Sequence, residues 1–183
     1  MAKPPGRTDN LVVYIVNLVV YPVYPGDNER VRRPGFELPL LLAGAFRELI
    51  DNLHAELGKH GHGQARPLHG FALQAIGPDG ATVSELGRRL GVTKQAAAKT
   101  AASLEQIGYI TRQPSTRDAR ATVLTRTPRG QEMLDLSAAI FEQLRRDWGH
   151  RLGDDKVQAI EDGLAAIVTS GGTKIGDLPG WLR

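Results

Sequence analysis

Between Leu38 and Leu57 apolar residues recur at steps of three and four: Leu38, Leu41, Leu42, Ala45, Phe46, Leu49, Ile50, Leu53 and Leu57. That period predicts an amphipathic helix of about five turns, stopped by Gly58, Gly61 and Gly63. Upstream, residues 1–35 show no helical period. Pro, Gly and charged residues surround the β-branched stretch Leu11 to Tyr24, and the segment is expected to be an N-terminal extension, either flexible or an arm on a dimer. A short helix is predicted from Pro67 to Ile76, closed by the turn residues Gly77, Pro78, Asp79 and Gly80. Thr82 and Glu85, three residues apart, have the spacing of a capping box, and Val83, Leu86 and Leu90 form the inner stripe of the helix they open. Gly91 ends that helix, and Thr93 caps another that reaches about Ile107. Helix, tight turn, helix is the order of a helix-turn-helix.

Beyond Gly108 the period changes. Tyr109 to Gln113 and Ala121 to Thr125 read as two strands around the polar turn Pro114 to Ala119, a hairpin of the kind called a wing. Thr127-Pro128 restarts a helix of roughly six turns, with Met133, Leu136, Ile140, Leu144 and Trp148 as its stripe. A last helix from Asp154 is expected to bury Val157, Ile160, Leu164 and Ile167 and to stop at Gly171 and Gly172. The fold expected is therefore mainly α: a winged helix-turn-helix with a small β hairpin and long terminal helices. Its expected divisions are an extension over 1–35, a winged-helix domain over 36–170, and a tail over 171–183. Within the domain the lobe covers about 66–127, and the outer helices cover about 38–58 and 128–169.

Charge sharpens this outline. The 183 residues carry a net charge of only +3. From Ser84 to Gly130, however, nine basic residues face three acidic ones, while from Gln131 onward nine acids outnumber six bases. A basic footprint confined to the helix pair and hairpin suits a polyanion. On a helical wheel Ala97, Ala101 and Leu104 of the second helix fall on one side and Gln95, Lys99, Ala102 and Gln106 on the other. Such an outer face can enter a groove, with Gln95 suited to an adenine edge and Lys99 to guanine or phosphate. Arg112, Arg117 and Arg120 lie on or beside the hairpin, where arginines suit a minor groove, and Asp118 can hold one of them extended. These residues, with Thr93 and Lys94 at the helix start, are the candidate contacts to double-stranded DNA.

Other chemistry is thin. There is no cysteine, so disulfides, thiolate metal sites and thiol nucleophiles are excluded, and a reducing cytoplasm fits. No GxSxG, P-loop or HExxH pattern is present, and no cofactor is expected. The run Leu11 to Tyr24 contains Asn17 and Pro22 and is shorter than the roughly 20 residues of a membrane span. Glu56, His60, His62 and His69 could be imagined as a zinc cluster, but histidines in a glycine loop are more often solvated, and no metal is expected. A winged helix serving only as a protein-interaction or dimerisation module is the competing reading.

The stretch TVSELGRRLGVTKQAAAKTAASLEQIGYITRQPSTRDARATVLTRTPRG, residues 82–130, resembles the MarR family of bacterial regulators, and the likeness runs from about Leu38 to Ile167. Asp118-Ala119-Arg120 matches the family's D-x-R wing signature. The resemblance implies a cytoplasmic homodimer built from the terminal helices, reading a pseudo-palindromic operator and acting as a ligand-responsive repressor rather than an enzyme. By motif position Thr93, Gln95 and Lys99 would touch phosphate and the major groove, Arg120 the minor groove, and Asp118 would support the wing. An aromatic or anionic effector would lie between the dimerisation helices and the lobe, against Phe46, Ile50, His54, His69 and Phe71, which serve equally well as core residues. Arg126 stands where the family pattern has a core leucine, and residues 1–35 have no counterpart in it.

Overall fold

The computed structural model describes residues 12–16, 19–23, 33–114 and 122–168, the two short upstream segments as backbone alone. The chain divides into two compact units, residues 1–43 and 44–183. In the first, strands β1 (Val12–Val16) and β2 (Val19–Val23) form an antiparallel hairpin, with Tyr14 opposite Tyr21 and Pro22 opposite Val13. The same unit contains the start of helix α1 (Glu37–Leu57), where Arg33 pairs with Glu37 at 3.0 Å one turn away.

The second unit begins at Gly44, within α1. After α1 one looser turn, Gly58–His62, precedes helix α2 (Pro67–Ile76). Helices α3 (Val83–Leu90) and α4 (Lys94–Gln106) follow. Strands β3 (Ile110–Pro114) and β4 (Thr122–Arg126) pair antiparallel with Arg112 opposite Leu124. Ala81 exchanges two backbone bonds with Leu124, at 3.1 and 2.8 Å, and so pins the turn before α3 to the hairpin.

Helix α5 (Pro128–Leu152) turns at Gly153 into α6 (Asp154–Ile167), which folds back so that Glu161 accepts two bonds from Arg145, at 2.7 and 3.0 Å. One core joins Leu53 and Leu57 of α1, Leu73 and Ile76 of α2, Leu86 and Leu90 of α3, Ala97, Ala101 and Leu104 of α4, and Leu124, Met133 and Ile140 beyond them.

The outer helices depart from the expected burial. Of the stripe on α6 only Val157 is buried, while Ile160, Leu164 and Ile167 are exposed. Leu38, Leu41 and Leu42 at the start of α1 are exposed as well. Helical period identifies an apolar face, but not what covers it: among the described residues no element buries Ile160, Leu164 or Ile167.

Candidate nucleic-acid interface

Both helices of the helix-turn-helix are set by their ends. Thr82 caps α3 by accepting from the Glu85 N–H at 3.2 Å, and the Glu85 carboxylate accepts from the Thr82 N–H at 2.8 Å and its hydroxyl at 2.9 Å. Those bonds hold the Glu85 carboxyl below its usual range. At the other end Gly91 adopts φ +68°, a left-handed conformation that side-chain-bearing residues enter only at a cost. The chain then closes on itself through Val92 N–H to Gly87 O at 2.9 Å and Gly91 N–H to Arg88 O at 3.3 Å. The same paired closure ends α4, with Tyr109 N–H on Leu104 O at 2.9 Å and Gly108 N–H on Glu105 O at 3.0 Å.

Thr93 is the N-cap of α4, and its hydroxyl accepts from Ala96 N–H at 3.2 Å. Helix α4 turns Ala97, Thr100, Ala101 and Leu104 inward and leaves Lys94, Gln95, Ala96, Lys99, Ala102 and Gln106 exposed. Lys94, Gln95 and Lys99 therefore project together from its outer side among alanines. Arg112 is exposed on β3, where its Nε donates to Glu105 at 2.8 Å and so ties the wing to the end of α4. Arg117, Asp118 and Arg120 lie outside the described residues.

Three other arginines of the basic footprint are occupied by the fold. The last four carbonyls of any helix lack intrahelical partners, and cations are favoured there. In α2 two arginines satisfy all four. Arg126 donates to Leu73 O at 2.9 Å and Gln74 O at 3.4 Å, and Arg89 donates to Ala75 O at 2.6 Å and Ile76 O at 3.2 Å. Arg126 also reaches Gln131 Oε1 at 2.9 Å. Arg126 thus forms a clamp between β4 and α2 at the position where the resembled pattern has an apolar residue. Arg129 donates to Gly61 O at 2.7 Å and lies over the Tyr109 ring, 5.7 Å from its centroid.

The histidines that a zinc reading would group are drawn apart. His60 is exposed, whereas His62 is buried, its Nδ1 2.8 Å from the Tyr109 hydroxyl. Burial, with Arg129 next, holds the His62 imidazole below its ordinary pKa. His69 is buried in the first turn of α2. Its Nδ1 accepts from the Arg66 N–H at 3.2 Å, and its Nε2 faces Ser103 Oγ of α4 at 3.1 Å. Burial, reinforced by Arg66 and His54, lowers its pKa to about 4.

Of the candidate effector-lining residues, Ile50, His54 and Phe71 share a narrow cleft of about 60 Å³ between α1, α2 and α5, together with Arg66, Gln74 and Phe141. Phe46 does not line it, and His69 turns away toward α4. The His54 Nε2 is buried without a hydrogen-bond partner among the described residues, and burial lowers its pKa. Neither the Arg126 clamp nor the His69 link carries a local sequence signal, because each joins residues more than 30 positions apart.

Residues 67–121, which run from α2 to the edge of β4, match the family model described as MarR family. No curated protein matches the chain. Among solved structures, Streptococcus pneumoniae FabT in complex with DNA aligns over 73% of this chain and 94% of its own, at 18% identity and TM-score 0.62. Wild-type apo MarR from E. coli aligns over 75% and 99%, at 18% identity and TM-score 0.57. A transcriptional regulator from Thermotoga maritima aligns over 72% and 92%, at 23% identity and TM-score 0.53. The family model matches the helix-turn-helix and the first strand of the wing, and the fold shared over some three-quarters of the chain is that of a winged helix-turn-helix, similar to these MarR-family structures.

Proposed function

We propose that the chain is a sequence-specific, double-stranded DNA-binding transcriptional regulator, with α4 as the helix that enters the major groove. The observation that carries this reading is the outer side of α4, where Lys94, Gln95 and Lys99 stand exposed among alanines that let the backbone approach a groove. Thr93 and Arg112 flank that side. Arg117, Asp118 and Arg120, which lie between β3 and β4 in the sequence, are assigned to the same interface by motif position, Arg120 to a minor groove and Asp118 to its support. FabT in complex with DNA and a MepR variant from S. aureus bound to an oligodeoxyribonucleotide are similar in fold, which supports the assignment.

The protein works as a homodimer. The apolar residues left exposed at Leu38, Leu41 and Leu42, and those at Ile160, Leu164 and Ile167, suit burial against a second copy. Two copies of α4 then read half-sites about one helical turn apart on a pseudo-palindrome, as a cytoplasmic repressor. No helix among the described residues is long and apolar enough to cross a membrane. Control comes from an aromatic or anionic effector at the cleft of Ile50, His54 and Phe71. That cleft has the volume of a few waters, so such a ligand enters only as α1 and α2 separate, and its preference for the separated form sets how far it weakens DNA binding.

The test is to select genomic fragments with the full-length protein and titrate the recovered operator. Lys99→Ala and Gln95→Ala are each expected to lose about 1–3 kcal/mol of discrimination between operator and scrambled duplex. If no fragment is retained above background, the lobe is an interaction module rather than a DNA reader.

A further inference from the structure

The recognition side of α4 is only as precise as the roll of α4 about its own axis. Its inner side is built from Ala97, Thr100, Ala101 and Leu104, and the Thr100 hydroxyl is spent within the helix on Ala96 O at 3.1 Å. Small side chains let helices approach closely but offer few knobs to index rotation. A roll of about 10° displaces an atom at the helix rim, some 5–6 Å from the axis, by roughly 1 Å, enough to spoil a directed contact. Directed bonds from other elements therefore matter. Among the described residues two side-chain bonds leave α4: the exposed Arg112–Glu105 pair, of a class worth little, and the link from Ser103 to buried His69.

We propose that His69 is a positioning residue for DNA reading, holding the roll of α4 through its hydrogen bond to Ser103. The inference rests on α4 being the DNA-contacting helix. The ring is fixed at both nitrogens. Because Nδ1 accepts from the Arg66 N–H, the single proton of the neutral ring sits on Nε2 and is donated to Ser103 Oγ. A protonated ring would set an Nδ1–H against the Arg66 N–H, two donors face to face. The groups turned toward the ring are Arg66 at the start of its own helix, His54 from α1 and the neutral Ser103 from α4. Arg66, Pro67, Gly70 and Phe71 belong to the first turns of α2 and line the cleft. The His69 side chain thereby passes displacement of α2 at the cleft to α4, beside the shared core and the hairpin.

Four full-length proteins test this: wild type, His69→Gln, Ser103→Ala and the double variant. Gln at the third helical position can still accept from the N-cap N–H, so His69→Gln retains the end of α2. Ser103→Ala leaves that end untouched. Each is titrated with the selected operator and with a scrambled duplex at several salt concentrations. The expected result is that each single variant lowers the operator-to-scrambled affinity ratio about fivefold, the scale of one net hydrogen bond, with scrambled binding and salt slope unchanged. The double variant loses no more than either single one, since both remove the same link. Ser103→Thr, which keeps the hydroxyl, restores the ratio. An unchanged ratio in both singles, or additive loss in the double, overturns the proposal. A wild type that itself shows no preference for any selected fragment overturns the DNA-binding reading, and this inference falls with it.

Discussion

Lowering the pH from 7.5 to 4.5 should destabilise this protein in a way traceable to His69. Folded, the imidazole is neutral, with its pKa lowered from 6.5 to about 4 by burial, Arg66 and His54. Unfolded, it titrates near its ordinary value. Above about pH 7 both states carry the neutral ring, and the residue adds no pH dependence. As pH falls through 6.5 the unfolded state takes up a proton that the native state refuses, so stability drops until about pH 4, where the native ring is protonated too. At about 1.4 kcal/mol per pKa unit the full shift is worth ~3 kcal/mol, of which about 2.5 kcal/mol has gone by pH 4.5. His54 and His62 are shifted in the same direction and add to the slope, so the profile of the wild type alone does not isolate His69. Urea unfolding of wild type and His69→Gln, at one protein concentration and four pH values, does so. The wild type should lose about 2.5 kcal/mol more than the variant over this range, with equal denaturant slopes. Parallel profiles would refute the reasoning, and a wild type that gained stability toward acid would mean that the folded state prefers imidazolium.

Two further outcomes follow from the packing. Arg126→Leu installs the leucine of the resembled family pattern but strips Gln74 O of its side-chain donor and leaves Leu73 O only the Gly77 N–H; it should cost about 1–2 kcal/mol by thermal or urea unfolding and leave the salt slope of DNA binding unchanged, whereas a phosphate contact would lower that slope by about one. Gly130→Ala places a methyl group against the Tyr109 carbonyl, a backbone obstacle that cannot swing aside, and should destabilise by about 3 kcal/mol; a midpoint within error of wild type would refute this close approach of α5 to Tyr109.

Where the chain announces its elements by local chemistry, sequence reading and structure coincide. Thr82 with Glu85, Gly91, Thr93 and Thr127-Pro128 are cap and turn signals that act within four residues, and both ends of α3 and the starts of α4 and α5 lie where those signals place them. The outer side of α4 was legible for the same reason, since helical period alone separates Lys99 from Ala97. The interior polar links were not. His62 sits in a glycine-rich stretch that reads as solvated, and its partner Tyr109 lies 47 residues on. Arginines 89, 126 and 129 counted toward a DNA-facing charge, yet they end on carbonyls that only the tertiary fold brings to them. Nor could period say what covers Ile160 and Leu164, because a helix face carries no mark of whether its cover is the same chain or another.

The two strands of the wing are anchored to different helices. β4 is held to α2 by Arg126 and to the turn before α3 by Ala81, while β3 runs directly out of α4 and is held to it by Arg112. Any sliding of α2 against α4 must therefore shear the ladder between Ile110 and Pro114 on one strand and Thr122 and Arg126 on the other, a motion that breaks several backbone bonds at once. The hairpin acts as a cross-brace. Helix α4 and the hairpin strands turn as the tines of one fork, their separation set when the lobe folds, so under the DNA-binding reading proposed above a ligand at the cleft would change the angle at which the whole fork meets DNA rather than the gap between its tines.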